Sequence, residues 1–131
     1  MDPEKLKGLG NEALKNKQFE EAISFYTEAI NTAKAQQLPV HVYYSNRAAA
    51  QLNLQNFQAA LDDAEECIKS KPDWPKGYGR KGNALHNLRR YAEAEAAYKD
   101  GLKYRMMNNE HEIAFFCYTI SIIFFIILLQ R

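Results

Sequence analysis

WPKGYGRKG, residues 74–82, admits two incompatible readings. Gly77, Gly79 and Gly82 spell the G-x-G-x-x-G of a dinucleotide-binding turn, and Asp100 lies about where the ribose-binding acid of such a site belongs. That turn needs a buried strand directly before it. Here the preceding stretch is KPDWP, with Pro72 and Pro75 flanking Trp74 and no apolar run. The alternative is a helix starting near Pro75, in which Gly82 lets a second helix come close. Gly77 and Gly79 each weaken such a helix by about 1 kcal/mol relative to Ala, and the sequence supplies no reason for Gly79.

Self-comparison decides for the helix. A shift of 34 residues lays Tyr44 on Tyr78, Asn46 on Arg80, Ala48 on Gly82, Phe57 on Tyr91 and Ala60 on Ala94. A shift of 38 lays Gly10 on Ala48, Phe19 on Phe57 and Ala22 on Ala60, so the first unit carries about four extra residues near AKAQQLPV. Three units result, roughly 3–36, 41–74 and 75–108.

Each unit reads as two amphipathic helices. Leu6, Leu9, Ala13 and Leu14, then Phe19, Ala22, Ile23, Tyr26, Ala29 and Ile30, recur at helical spacing. Asp2 before Pro3 and Asp73 near Pro75 read as start signals, and Pro72 as a stop. Gly10, Ala48 and Gly82, with Ala22, Ala60 and Ala94, fall where paired helices should cross closely.

Composition narrows the function. The 131 residues carry a formal charge of +1, so no overall field draws the chain to nucleic acid or anionic lipid, and any electropositive site must be local. Arg89, Arg90 and Arg105 are diluted by neighbouring Glu and Asp and lack an exposed aromatic row, which argues against nucleic acid. The two cysteines, Cys67 and Cys117, form no C-x-x-C and suit a reducing compartment; Cys67 falls at a small core position. His41, His86 and His111 are scattered, and the Glu110–His111–Glu112 stretch has ligand types without a fourth partner, so neither metal nor cofactor is expected. The N-terminus lacks the basic and apolar regions of a signal peptide, which points to the cytosol.

LGNEAL, YYSNRAAA, FQAALDDAEECI and KPDWPKGYGRKGNAL resemble three tetratricopeptide repeats, most similar to those of the co-chaperone family that organises heat-shock proteins 70 and 90. The resemblance covers about residues 3–108 and implies an all-α, right-handed superhelical solenoid of three helix pairs. Lys76 and Arg80 stand i, i+4 on one helix face, Lys7 and Asn11 repeat that spacing, and Asn46 lies one repeat before Arg80. In the resembled family the positions matching Lys7, Asn11, Asn46, Lys76 and Arg80 form a clamp for the terminal carboxylate of a partner ending Glu-Glu-Val-Asp. The same comparison places Leu14, Ala49, Leu52, Asn53, His86 and Asn87 along the groove. Asn87 stands where some members have an apolar or aromatic side chain, and Asn53 replaces a frequent Lys, which leaves the choice between the two chaperones open. The implied function is a non-enzymatic adaptor for heat-shock protein 70 or 90 tails; the alternative is a scaffold that binds another protein without reading a terminal carboxylate.

From Ile113 to Leu129 there is no charge. As a helix this run is about 26 Å long, enough for a thin bilayer, with Gln130 and Arg131 beyond it. One reading is a tail anchor holding the repeats on the cytosolic face. The other is a processed or truncated end that packs on the third repeat or aggregates.

Overall fold

The structure is a computed structural model that describes residues 1–130, the side chains of Glu110–Phe116 excepted. The described residues form seven helices: α1 (Pro3–Lys15), α2 (Phe19–Ala35), α3 (His41–Asn53), α4 (Phe57–Ser70), α5 (Pro75–Asn87), α6 (Tyr91–Asn108) and α7 (Glu110–Leu129). The stretch that opened the question lies in α5, with Gly77, Gly79 and Gly82 all inside the helix and no glycine at positive φ. There is no phosphate-binding turn.

The first six helices pair as α1/α2, α3/α4 and α5/α6, and each pair packs on the next through α2 with α3 and α4 with α5. The odd helices also touch, α1 with α3 and α3 with α5, whereas α2, α4 and α6 do not touch one another. The stack is therefore a solenoid curved with α1, α3 and α5 on its inner face. The extra residues of the first unit mostly lengthen a helix: α2 has 17 residues and α4 has 14.

Local signals account for most of the boundaries. Asp2 caps α1, its side chain accepting from the Glu4 backbone N–H at 3.4 Å, with Pro3 in the first turn. Asp73 does not repeat that role; Trp74 is the cap residue of α5 and makes no side-chain cap bond. Lys71, extended before Pro72, closes α4. Within each pair the chain turns through a left-handed residue, Lys17, Gln55 or Arg89, at φ of 61°, 62° and 61°. The following amide returns to the last helical turn in all three: Gln18 to Ala13, Asn56 to Gln51 and Arg90 to Leu85.

The helices of a pair meet through small residues. Ala22, Ala48, Ala60 and Ala94 are buried, as their repeat positions require. Gly10 lies under the ring of Tyr26 and Gly82 under the ring of Tyr98, so close that a Cβ at either would collide with the ring. In the middle pair the corresponding residues are Ala48 and Ala64, both fully buried. Gly77 also has a reason, since a Cβ there would stand 3.0 Å from Ile68 Cγ1 and 3.1 Å from Cys67 Sγ. Gly79 has none: nothing lies within 4 Å of its Cβ position.

α7 follows α6 after Asn109 alone, and among the described residues it touches only α6. Its side chains from Tyr118 onward are largely exposed, Phe124 at 65% and Leu129 at 71%. Among the described residues no helix is long and apolar enough to cross a membrane. The expected anchor begins at Ile113, within residues whose side chains lie outside the description, as do the acids considered as metal ligands at Glu110 and Glu112 and the terminal Arg131.

Gly79→Ala is expected to stabilise the domain by about 0.5–1 kcal/mol, because the helix gains and nothing is displaced. Gly82→Ala is expected to destabilise it by about 1–3 kcal/mol, because the Tyr98 ring must move. Urea midpoints at unchanged slope measure both, and shifts in the same direction would contradict this account.

Candidate functional site: an amide and cation cluster on the inner face

The inner face of α1, α3 and α5 carries the polar residues that the repeat register brings together. Asn11 on α1 and Asn46 on α3 are in contact, Asn46 Nδ2 donating to Asn11 Oδ1 at 3.3 Å. The same oxygen accepts from the Tyr26 hydroxyl at 2.6 Å. With its oxygen taken twice, the Asn11 amide leaves its NH2 for a ligand.

Arg80 is half-buried on α5, and its Nε donates to the Ser45 hydroxyl of α3 at 3.3 Å. Burial lowers its pKa from the ordinary value, and the nearby Cys67 and Tyr26 act in the opposite sense. The guanidinium thus stands over the second repeat, beside the tyrosine that fixes Asn11, and has few partners for its remaining N–H groups. A carboxylate is the natural complement to such a fork.

The two lysines flank this centre on their helices, one turn from Asn11 and from Arg80. Lys76 is exposed, its ammonium 6.0 Å from the centre of the Trp74 ring. Lys7 is half-buried and paired with Glu4 at 2.8 Å, and Glu4 also accepts from the Tyr43 hydroxyl at 2.8 Å. Those bonds, that of Lys7 first, hold the Glu4 carboxyl below its usual range.

The residues placed along the groove divide into two kinds. Leu14, Ala49 and Leu52 are half-buried, with Leu14 packed against the Tyr26 cluster and Leu52 against the Leu61 and Leu85 cluster. Asn53 and Asn87 are exposed but turn along their own helices, donating to the carbonyls of Ala49 and Asn83 at 2.8 Å each. His86 meets the Tyr91 ring edge-on at 5.2 Å.

Tyr26 and Ser45 were not singled out from the sequence, because Tyr26 reads there as one more apolar residue of an amphipathic helix. Its signal was its position over Gly10. The Arg47–Asp63 pair was also missed: Arg47 reaches both carboxylate oxygens, at 2.9 and 2.7 Å, and donates to Thr27 Oγ1 at 3.1 Å, tying α2, α3 and α4 together. Among the described residues no cluster of His, Cys, Asp and Glu could hold a metal ion.

A stack of helix pairs with a polar inner face belongs to the class of α-helical repeat proteins that bind peptides or proteins in their concave side. The tetratricopeptide repeat pattern matches residues 8–36, 41–73 and 75–105, and the chain belongs to the tetratricopeptide repeat family. It is 42% identical over 102 residues to the Hsp70-Hsp90 organising protein of Plasmodium falciparum, a match covering 78% of this chain and 39% of that relative. The chain thus spans well under half the length of this curated relative. Among solved structures it is similar to the OM64 TPR domain of Arabidopsis, with a TM-score of 0.73 and 38% identity, covering 86% of this chain and 89% of that one. It is similar also to the second TPR of Spaghetti (RPAP3) bound to the HSP90 peptide SRMEEVD, with a TM-score of 0.73 and 27% identity, covering 79% of this chain and 93% of that one.

Burial pushes the Cys67 thiol up to about 11, while Cys117 is exposed. At pH 8, a thiol reagent such as dithionitrobenzoate is expected to label Cys117 rapidly and Cys67 only on unfolding. Peptide mapping of the labelled chain checks this, and rapid native labelling of Cys67 would show that α4 is not packed as described.

Proposed function

We propose that this chain is a co-chaperone-type adaptor, without catalysis, that holds the acidic C-terminal peptide of heat-shock protein 70 or 90 in a carboxylate clamp. Lys7, Asn11, Asn46, Lys76 and Arg80 are the clamp, and Leu14, Ala49, Leu52, Asn53, His86 and Asn87 flank the upstream peptide. The observation that carries this reading is the shared bond at Asn11 Oδ1, which joins Asn11 to Asn46 and turns amide donors toward the face that Arg80 occupies. The peptide SRMEEVD, held by a solved relative of the same fold, supplies a matching chemistry of terminal and side-chain carboxylates. Charge-assisted bonds of this kind contribute roughly 1.5–3 kcal/mol each, and the peptide loses ordering entropy, so the dissociation constant is expected on the order of micromolar.

Calorimetry with SRMEEVD tests it. Lys76→Ala and Arg80→Ala are each expected to weaken binding about tenfold or more with helicity unchanged, and amidation of the terminal carboxylate to do the same. Affinity is also expected to fall as salt rises. Equal affinity for the free and amidated peptides removes the clamp and leaves the scaffold reading.

The tail calls for its own assignment. We place the repeats in the cytosol and infer that the exposed Ile and Phe side chains of α7 drive association between chains. Light scattering is expected to show the full chain associating and a version ending at Asn109 monomeric. Resistance of the full chain to carbonate extraction from membranes would instead favour the tail anchor.

A further inference from the structure

One cation of the candidate site already holds a carboxylate. Lys7 Nζ pairs with Glu4 Oε2 at 2.8 Å, one turn earlier on α1. The other oxygen of that carboxylate, Oε1, accepts from the Tyr43 hydroxyl of α3 at 2.8 Å. Glu4 is itself exposed, yet it is fastened at both oxygens, once to its own helix and once to the next repeat. Tyr43 is buried, which fixes the hydroxyl in place. Burial, with the Glu4 bond adding to it, pushes the phenol up to about 12, so it donates at neutral pH. Glu4, held below its usual range, is ionised there. Lys76 and Arg80 differ: among the described residues no carboxylate pairs with either. The repeat register accounts for the difference, because the third repeat has Lys76 in the place of Glu4 and Gly77 in the place of Tyr43.

We infer that Glu4, held by Tyr43, is an internal competitor for Lys7 that sets the affinity of the groove, and that a bound acidic peptide takes its place on the Lys7 ammonium. The inference rests on the clamp reading above. The ammonium has three donors, but a carboxylate at 2.8 Å offsets much of its charge and repels a second carboxylate at the same point. Binding therefore exchanges one ion pair for another, and Lys7 adds less to affinity than a lysine without a partner would. The exchange is open to the protein because Glu4, when Lys7 leaves, keeps the Tyr43 bond and faces water, so no buried charge is left unpaired. Tyr43 works against the peptide by holding the carboxylate beside Lys7, where an untethered Glu4 would spend part of its time in other rotamers.

The test is SRMEEVD binding by wild type, Glu4→Gln, Tyr43→Phe, Lys7→Ala and their double variants with Glu4→Gln, with Arg80→Ala as control. Glu4→Gln, which keeps an acceptor for Tyr43, is expected to tighten binding roughly two- to fivefold, the range of an exposed ion pair. It is also expected to steepen the fall of affinity with salt, since Lys7 then forms a new pair instead of exchanging one. Tyr43→Phe is expected to give part of the gain, and none once Glu4 is glutamine. In the Lys7→Ala background Glu4→Gln is expected to change nothing. A gain of the same size there shows only the loss of a negative charge near the groove and overturns the competition. Unchanged or weaker binding by Glu4→Gln, with Arg80→Ala impaired, also overturns this inference and leaves the clamp. If wild type fails to bind, or Arg80→Ala binds as well as wild type, the clamp is withdrawn and this inference with it.

Discussion

The contact between a tyrosine ring and a glycine in the first and third repeats sets the geometry on which the rest depends. A ring packed directly against the glycine lets the paired helices approach to a distance that any side chain at Gly10 or Gly82 would prevent. The same ring, once placed, ends in a hydroxyl at the inner face. One residue thereby fixes both helix spacing, through its ring, and the orientation of an amide on the inner face, through its hydroxyl.

The site follows from that spacing and from the curvature. Because α1, α3 and α5 touch while the even helices diverge, residues a repeat apart on the odd helices come within hydrogen-bonding reach, as Asn11 and Asn46 do. The chain is almost neutral overall, so any attraction for an acidic peptide has to come from local arrangement. Lys7 stands one turn before Asn11 on α1, and Lys76 one turn before Arg80 on α5. Arg80 is half-buried against Ser45, which restricts its motion and would limit the entropy lost on binding a carboxylate.

Tertiary packing also overrides local preference. Lys17, Gln55 and Arg89 adopt the left-handed conformation without being glycine, at a cost of about 1 kcal/mol or more each, in the same register of every repeat. The tight turn is retained because it brings the two helices of a pair together at close range, and the returned amide bond offsets part of the strain. The Arg47–Asp63 pair is a second such case. Two charges leave water, and bidentate geometry with Thr27 as an additional acceptor compensates them, fixing α3 relative to both neighbours.

The sequence by itself determined the repeat, its length, the helical reading of residues 74–82 and the small residues at the crossings. Each of these is periodic or local, and periodicity survives in one dimension. It also singled out Lys7, Asn11, Asn46, Lys76 and Arg80, through i, i+4 spacing, repeat register and family resemblance. The partners of those side chains could not be read in the same way. Tyr26 is separated from Asn11 by a turn and part of two helices, and its hydroxyl looks incidental to an apolar stripe until the helices are folded against each other. Gly77 likewise acquires its reason only when α5 meets Ile68 and Cys67 of α4, while Gly79 meets nothing in either dimension. What the tertiary structure alone decided is the direction in which each amide points, because that depends on a donor supplied by another helix.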